Sequence, residues 1–144
     1  MCDNNKTRDC DNCIADILKV INILQQNAMV NDKLAESCDR PTLGCAPANC
    51  ECNTRPIMLY TCSGDVWSFP TTKEPINCTE AGSNCSMVFR IEKIDGCCAT
   101  FRVLTNNPDT NSNCPYIATE SFFTINLNCI CAIKCLDDTF VECL

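Results

Sequence analysis

There is no histidine anywhere in the 144 residues. That absence removes the serine–histidine–aspartate triad, the cysteine–histidine pair and every histidine-bearing zinc or haem site. Basic residues are scarce as well: 11 Lys and Arg stand against 18 Asp and Glu, a net charge of −7. Such an acidic balance argues against nucleic acid or an anionic membrane as partner. No apolar run approaches the roughly 18–20 residues that a membrane span needs. The opening Met1-Cys2-Asp3-Asn4-Asn5-Lys6-Thr7-Arg8-Asp9 is polar and lacks the apolar stretch of a signal peptide.

What the chain has in abundance is cysteine, at 17 positions, well beyond the level that marks a disulfide scaffold. A chain of this length buries about two-thirds of its unfolded surface, so the cysteines do not stand in for a missing core. Their number is odd. At least one thiol therefore has no partner within a monomer, and in an oxidising setting it bridges to another molecule or stays reactive. Disulfide-rich proteins are normally exported. Without an export signal, the economical expectation is synthesis in a reducing cytoplasm followed by later oxidation.

The chain reads as a single cysteine-rich domain over residues 1–144, with no repeat and no shift of composition. Residues 1–9 form a polar, flexible arm. Ile14, Ile17, Leu18, Ile21 and Leu24 follow helical spacing, which predicts a helix over 11–28 capped by Asp11 or Asn12. Val20 and Ile23 widen its apolar stripe, so a second surface should cover much of it. Residues 38–56, dense in proline and cysteine, read as a crosslinked loop. From Ile57 to about residue 135 the period changes to two. Ser86–Ile94 and Cys97–Thr105 flank Asp95-Gly96, the preferred two-residue hairpin turn, and a last long strand is expected from about Ser121 to Ile133. The predicted class is mainly β: an antiparallel sheet or sandwich with one N-terminal α-helix, rich in disulfides.

Strand alternation then sorts the cysteines. A two-residue turn at Asp95-Gly96 sets Ile94 opposite Cys97, with Cys97, Ala99, Phe101 and Val103 on one face beside Val88. Cys98 falls on the other face with Met87, Phe89 and Ile91. Cys129 and Cys131 share a face with Phe123, Ile125, Leu127 and Ile133. Cys97, Cys98, Cys129, Cys131 and Cys135 are accordingly the candidates for internal bridges or core positions. Cys2, Cys10, Cys13 and Cys143 lie near the ends of the chain, where tails reach other molecules more easily, and are the candidate intermolecular positions. The alternative for Cys2, Cys10 and Cys13 is closure of the N-terminal arm onto its own domain.

A single CxxC, Cys10-Asp11-Asn12-Cys13, has no matching second knuckle and is a weak zinc signal. The same pair lacks the preceding buried strand of a thioredoxin-type site. No catalytic residue, cofactor or metal is assigned. The start of a helix favours the thiolate of a cysteine placed there, which suits a starter of crosslinking better than a turnover enzyme.

Three segments carry a resemblance. Phe89-Arg90-Ile91-Glu92, then Cys97-Cys98-Ala99-Thr100-Phe101-Arg102-Val103-Leu104, then Cys129-Ile130-Cys131-Ala132-Ile133-Lys134-Cys135-Leu136 resemble the cysteine-rich spore coat and exosporium family typified by CotY, CotZ and ExsY. Cys10-Asp11-Asn12-Cys13-Ile14 leading into a helix is similar to the opening of that family. The resemblance implies a structural, non-enzymatic protein of the bacterial endospore surface. It also implies assembly of like copies, together with other coat or exosporium proteins, into a disulfide-crosslinked two-dimensional lattice. Synthesis in the mother-cell cytoplasm would explain the missing signal. The alternatives are a subunit of a spore-surface fibre and a metal-binding cysteine-rich module. If Cys10 and Cys13 start crosslinking, a C10S/C13S variant will polymerise several-fold more slowly than the parent in a time course of non-reducing gels.

Overall fold

Asn12 opens the helix. Its Oδ1 accepts the Ile14 N–H at 2.8 Å and its carbonyl accepts the Asp16 N–H at 3.2 Å, which supplies partners that a bare helix start would lack. A computed structural model describes residues 12–27, 52–79, 84–142 and 144, and in it helix α1 spans Cys13–Asn27. Ile14, Ala15, Leu18 and Ile21 form its buried face, at the helical spacing that the sequence predicts.

The described strands are β1 (Ile57–Thr61), β2 (Phe69–Pro70), β3 (Cys85–Ser86), β4 (Val88–Asp95), β5 (Cys98–Asn106), β6 (Tyr116–Asn126) and β7 (Ile130–Cys135). Five of them make one antiparallel sheet in the order β6-β5-β4-β1-β7, and β2 pairs with β3 in a small second sheet. Strands β6 and β7 lie at opposite ends of that order, yet only the 3₁₀ turn Leu127–Cys129 joins them. Four Cα steps reach at most about 14 Å, whereas the edges of a flat five-stranded sheet lie about 19 Å apart. The sheet therefore curls. Its pairing is thinnest at Ile57↔Phe89, the one registered pair between β1 and β4.

Phe123 of β6 sits in the hollow of the curl. Its ring centroid lies 4.7 Å from Phe69, 4.9 Å from Phe89 and 5.4 Å from Phe101, within the range where aromatic pairs attract. Leu59, Ile91, Ala99, Val103, Leu127 and Ile130 complete this core with the apolar face of α1.

Two expectations are corrected. Asp95 pairs with Cys98, so the β4–β5 turn is made by Gly96, at φ 61°, and Cys97, and Ile94 faces Ala99 rather than Cys97. Glycine takes the left-handed position because it alone lacks the Cβ that would clash there. Moving the turn by one residue shifts the register by two and leaves the faces as they were; the bulge between Ile91 and Lys93 is what puts Phe89 and Ile91 on the same buried face as Phe101 and Val103, not on the opposite one with Cys98. The long terminal strand is also broken. The Asn126 side chain accepts the Asn128 N–H at 3.0 Å, a local bond that competes with the ladder, and the chain turns at Leu127–Cys129 before β7 begins.

Polar groups are buried where the ends of the sheet are tied together. The Gln25 amide donates to the Ile91 carbonyl at 2.8 Å and accepts the Arg55 N–H at 3.1 Å, joining α1, β4 and the run before β1. That run lies against the residues after β7: Leu136 donates to Pro56, Thr54 pairs with Thr139, and Asn53 exchanges two hydrogen bonds with the Val141 backbone. Arg55 and Asp138 form a fork-like ion pair at 2.8 and 3.0 Å with both side chains buried. Removing one partner strands a charge, which costs about 3–5 kcal/mol. Asp138→Ala should lose that much in denaturant unfolding of the oxidised protein, and an R55M/D138L double variant should recover most of it. Phe123→Ala should cost a similar ~3–5 kcal/mol through the cavity it leaves.

Candidate functional site

The chemistry-bearing groups are sulfurs, and the fold divides them into bonded and free. Cys62, just past β1, is bonded to Cys131 at the start of β7, fastening that edge strand of the sheet to its neighbour. Cys78 is bonded to Cys85 across a short loop ahead of β3. Cys52, Cys97, Cys98 and Cys135 are disulfide-bonded too. Cys97 lies in the β4–β5 turn against the margin of the core, and Cys98 opens β5. Among the described residues, three cysteines are free: Cys13 and Cys129, both exposed, and Cys114, half-buried.

Of the positions singled out in the sequence, Cys2, Cys10 and Cys143 lie outside the described residues. Cys13 is the first residue of α1. Cys129 does not share a buried face with Leu127 as strict alternation suggests. The turn Leu127–Cys129 rotates it outward with its thiol free, whereas Leu127 stays fully buried. Cys114 was not singled out in the sequence. Its signal there is slight: it sits in the asparagine- and proline-rich run Asn106–Pro115, which reads as a loop.

The free thiols are held in place by backbone contacts. Leu127 donates its N–H to the Cys97 carbonyl at 2.7 Å, and its own carbonyl accepts from Asn12 Nδ2 at 3.3 Å. The tip of the β4–β5 hairpin, the β6–β7 turn and the start of α1 thus converge, bringing the stretches that carry Cys129 and Cys13 to one end of the domain. Cys114 lies in the β5–β6 loop. There Asn107 closes the loop by donating its backbone N–H to Pro115 and its side chain to the Cys114 carbonyl, both at 2.9 Å. Near that loop, burial and the Asp137 carboxylate push the Tyr116 phenol above its ordinary value of 10.0, so it stays neutral at any physiological pH.

No group of three or more metal-ligating side chains is assembled among the described residues, and none of their helices is long and apolar enough to cross a membrane. The residues that carry the family resemblance hold the scaffold. Phe89 and Phe101 are core rings. Arg90 donates from Nε to Thr54 Oγ1 at 2.9 Å and from Nη1 to Glu92 at 2.9 Å. Glu92, at the bulge, also accepts from Arg102, whose guanidinium lies 4.5 Å over the Phe122 ring, a cation–π contact.

This is a cysteine-rich β domain in which oxidised pairs fix the scaffold while unpaired thiols reach its surface. The family model described as Spore coat protein Z matches residues 2–138, and the chain belongs to that family. No curated protein and no solved structure matches the chain. Membership gives it a structural role in the spore coat, at the spore surface and among other coat components.

The loop-closure model ranks the two assigned disulfides. Cys62–Cys131 spans 69 residues and restricts the unfolded chain by about 4 kcal/mol, against about 2 kcal/mol for the short loop of Cys78–Cys85. Thermal unfolding of C62S/C131S should therefore show roughly twice the loss seen for C78S/C85S. Equal losses would mean that loop entropy is not what these bonds supply.

Proposed function

We propose that the protein is a building block of the outer coat or exosporium that assembles with its own copies, and with other coat proteins, into a sheet locked by intermolecular disulfides. The observation that carries this reading is the presence of exposed free thiols, Cys13 and Cys129, on a domain whose other described cysteines are bonded except for Cys114. A thiol whose only task is to fill a core has no reason to face solvent.

The physical sequence is hierarchical. The aromatic core, the Arg55–Asp138 tie and the internal disulfides make a rigid subunit. Non-covalent contacts between like surfaces then order the copies. Intermolecular disulfides last convert an equilibrium assembly into one that survives dilution and detergent, because its rupture needs a reductant. Cys2, Cys10, Cys13 and Cys143 are the sequence's candidates for these bonds. The charge of −7 holds copies apart while thiols are reduced in the mother-cell cytoplasm. Oxidation follows when the spore surface meets an oxidising medium.

Protein made in a reducing cytoplasm and then oxidised should give a ladder on non-reducing gels that collapses with reductant, and negative-stain microscopy should show sheets. A fully oxidised protein that remains monomeric at high concentration would overturn the proposal.

A further inference from the structure

The free thiols are not scattered. Cys13 and Cys129 belong to the end of the domain where Asn12, Leu127 and Cys97 meet. Cys114 belongs to the other end. Strand β5 leaves the first end at Cys98, beside the hairpin turn, and reaches the second at Asn106, which pairs with Tyr116 where the Cys114 loop begins and ends. Eight strand steps separate Cys98 from Asn106, about 26 Å. The exposed Cys129 lies two residues from Leu127, whose N–H is bonded to the carbonyl next to Cys98. Cys114 lies one residue from Pro115, whose carbonyl accepts the N–H next to Asn106.

We infer that the protein crosslinks head to tail: Cys114 of one copy bonds to Cys129 or Cys13 of the next, so that covalent growth runs along the axis of β5. Unlike surfaces at opposite ends make a heterologous contact, which propagates as an open array instead of closing as a two-fold dimer. Each bond uses one Cys114, so copies average two links, but a subunit whose Cys129 and Cys13 are both taken holds three neighbours, and growth can branch there. This rests on the disulfide-locked assembly proposed above and names its bonds.

The oxidant is a small-molecule disulfide of the glutathione type. The Cys129 or Cys13 thiolate attacks one of its sulfurs, forming a mixed disulfide and releasing one small thiolate. The Cys114 thiolate of a second copy attacks the protein sulfur of that mixed disulfide, forming the intermolecular bond and releasing the other small thiolate. The two protein thiols are oxidised by two electrons, the small disulfide is reduced by two, and the two protons pass to the released thiolates.

The test mixes ¹⁴N- and ¹⁵N-labelled full-length protein, oxidises it with glutathione disulfide, and maps crosslinked peptides by mass spectrometry. Mixed-isotope peptides joining Cys114 to Cys129 or Cys13 are expected. On non-reducing gels, C114S and C13S/C129S should each lose species larger than a dimer at least tenfold, and C13S/C114S/C129S should lose the ladder. Retained circular dichroism and intact Cys62–Cys131 and Cys78–Cys85 bonds identify folded variants; the isotope map decides the matter if a variant misfolds. A ladder unchanged in the triple variant overturns this inference, as does Cys129 recovered only with Cys62 or Cys131 of its own chain. A parent protein that never polymerises overturns the lattice reading itself.

Discussion

Three elements converge on Leu127. Its amide is held by the Cys97 carbonyl, its carbonyl holds the Asn12 side chain, and its own side chain is fully buried. Without that residue in place, the short β6–β7 link could not draw the two ends of the strand order together, and α1 would lose the contact at its start. The curl of the sheet, the hollow filled by Phe123 and the outward rotation of Cys129 all follow from this junction. A buried backbone amide and carbonyl are both satisfied at this one point, where unsatisfied they would each cost about 1–3 kcal/mol.

The helix and the class of fold were legible in the sequence because both rest on period. Ile14, Leu18 and Ile21 recur at helical spacing, and the runs around Asp95-Gly96 alternate, so burial had to follow. The faces beyond Glu92 were not legible, because one extra residue in a strand reverses every side chain beyond it. Gly96 and Cys97 make the turn in place of Asp95 and Gly96, which slides the register without changing faces, and the bulge at Glu92 then brings Phe89 and Ile91 to the core. Nothing in the local pattern announces that bulge. At it, Arg90 and Arg102 share the Glu92 carboxylate, a contact between strands that no local pattern contains. The break after Asn126 is a similar case: alternation through Phe123, Ile125 and Leu127 reads as one strand, but a single asparagine side chain bonding two residues ahead ends it.

The same distinction applies to sulfur. The odd number of cysteines showed that at least one would be left over in a monomer, but parity cannot say where. Cys129 and Cys131 are two residues apart and would point the same way in a continuous strand. The turn separates their fates, leaving Cys131 bonded to Cys62 and Cys129 free. Cys114 carried no signal because loop cysteines have no period to read. The residues that carry the family resemblance, by contrast, prove to be scaffold: Phe89, Arg90, Glu92, Phe101 and Arg102 hold the sheet and its bulge. Two of the three free thiols, Cys13 and Cys129, also lie in family-like stretches, so the resemblance covers scaffold and candidate crosslinking positions alike, and Cys114 alone stands outside it.

In the proposed assembly, free thiols at the two ends of β5 would also solve a problem of order. A disulfide forms wherever two sulfurs meet, and random collision of many cysteines would yield an amorphous network. Among the described residues, eight cysteines are removed from that competition by disulfides, which leaves Cys13, Cys114 and Cys129 as the free addresses there. A non-covalent contact that holds one address against its partner raises the local thiol concentration to the millimolar range or above. Exchange then locks the contacts that persist and passes over those that dissociate first. Self-repulsion from the acidic surface lengthens this selection by weakening every stray encounter. In the proposed assembly the covalent step would thus record an arrangement that geometry has already chosen, and the Leu127 junction would set how sharply it is chosen.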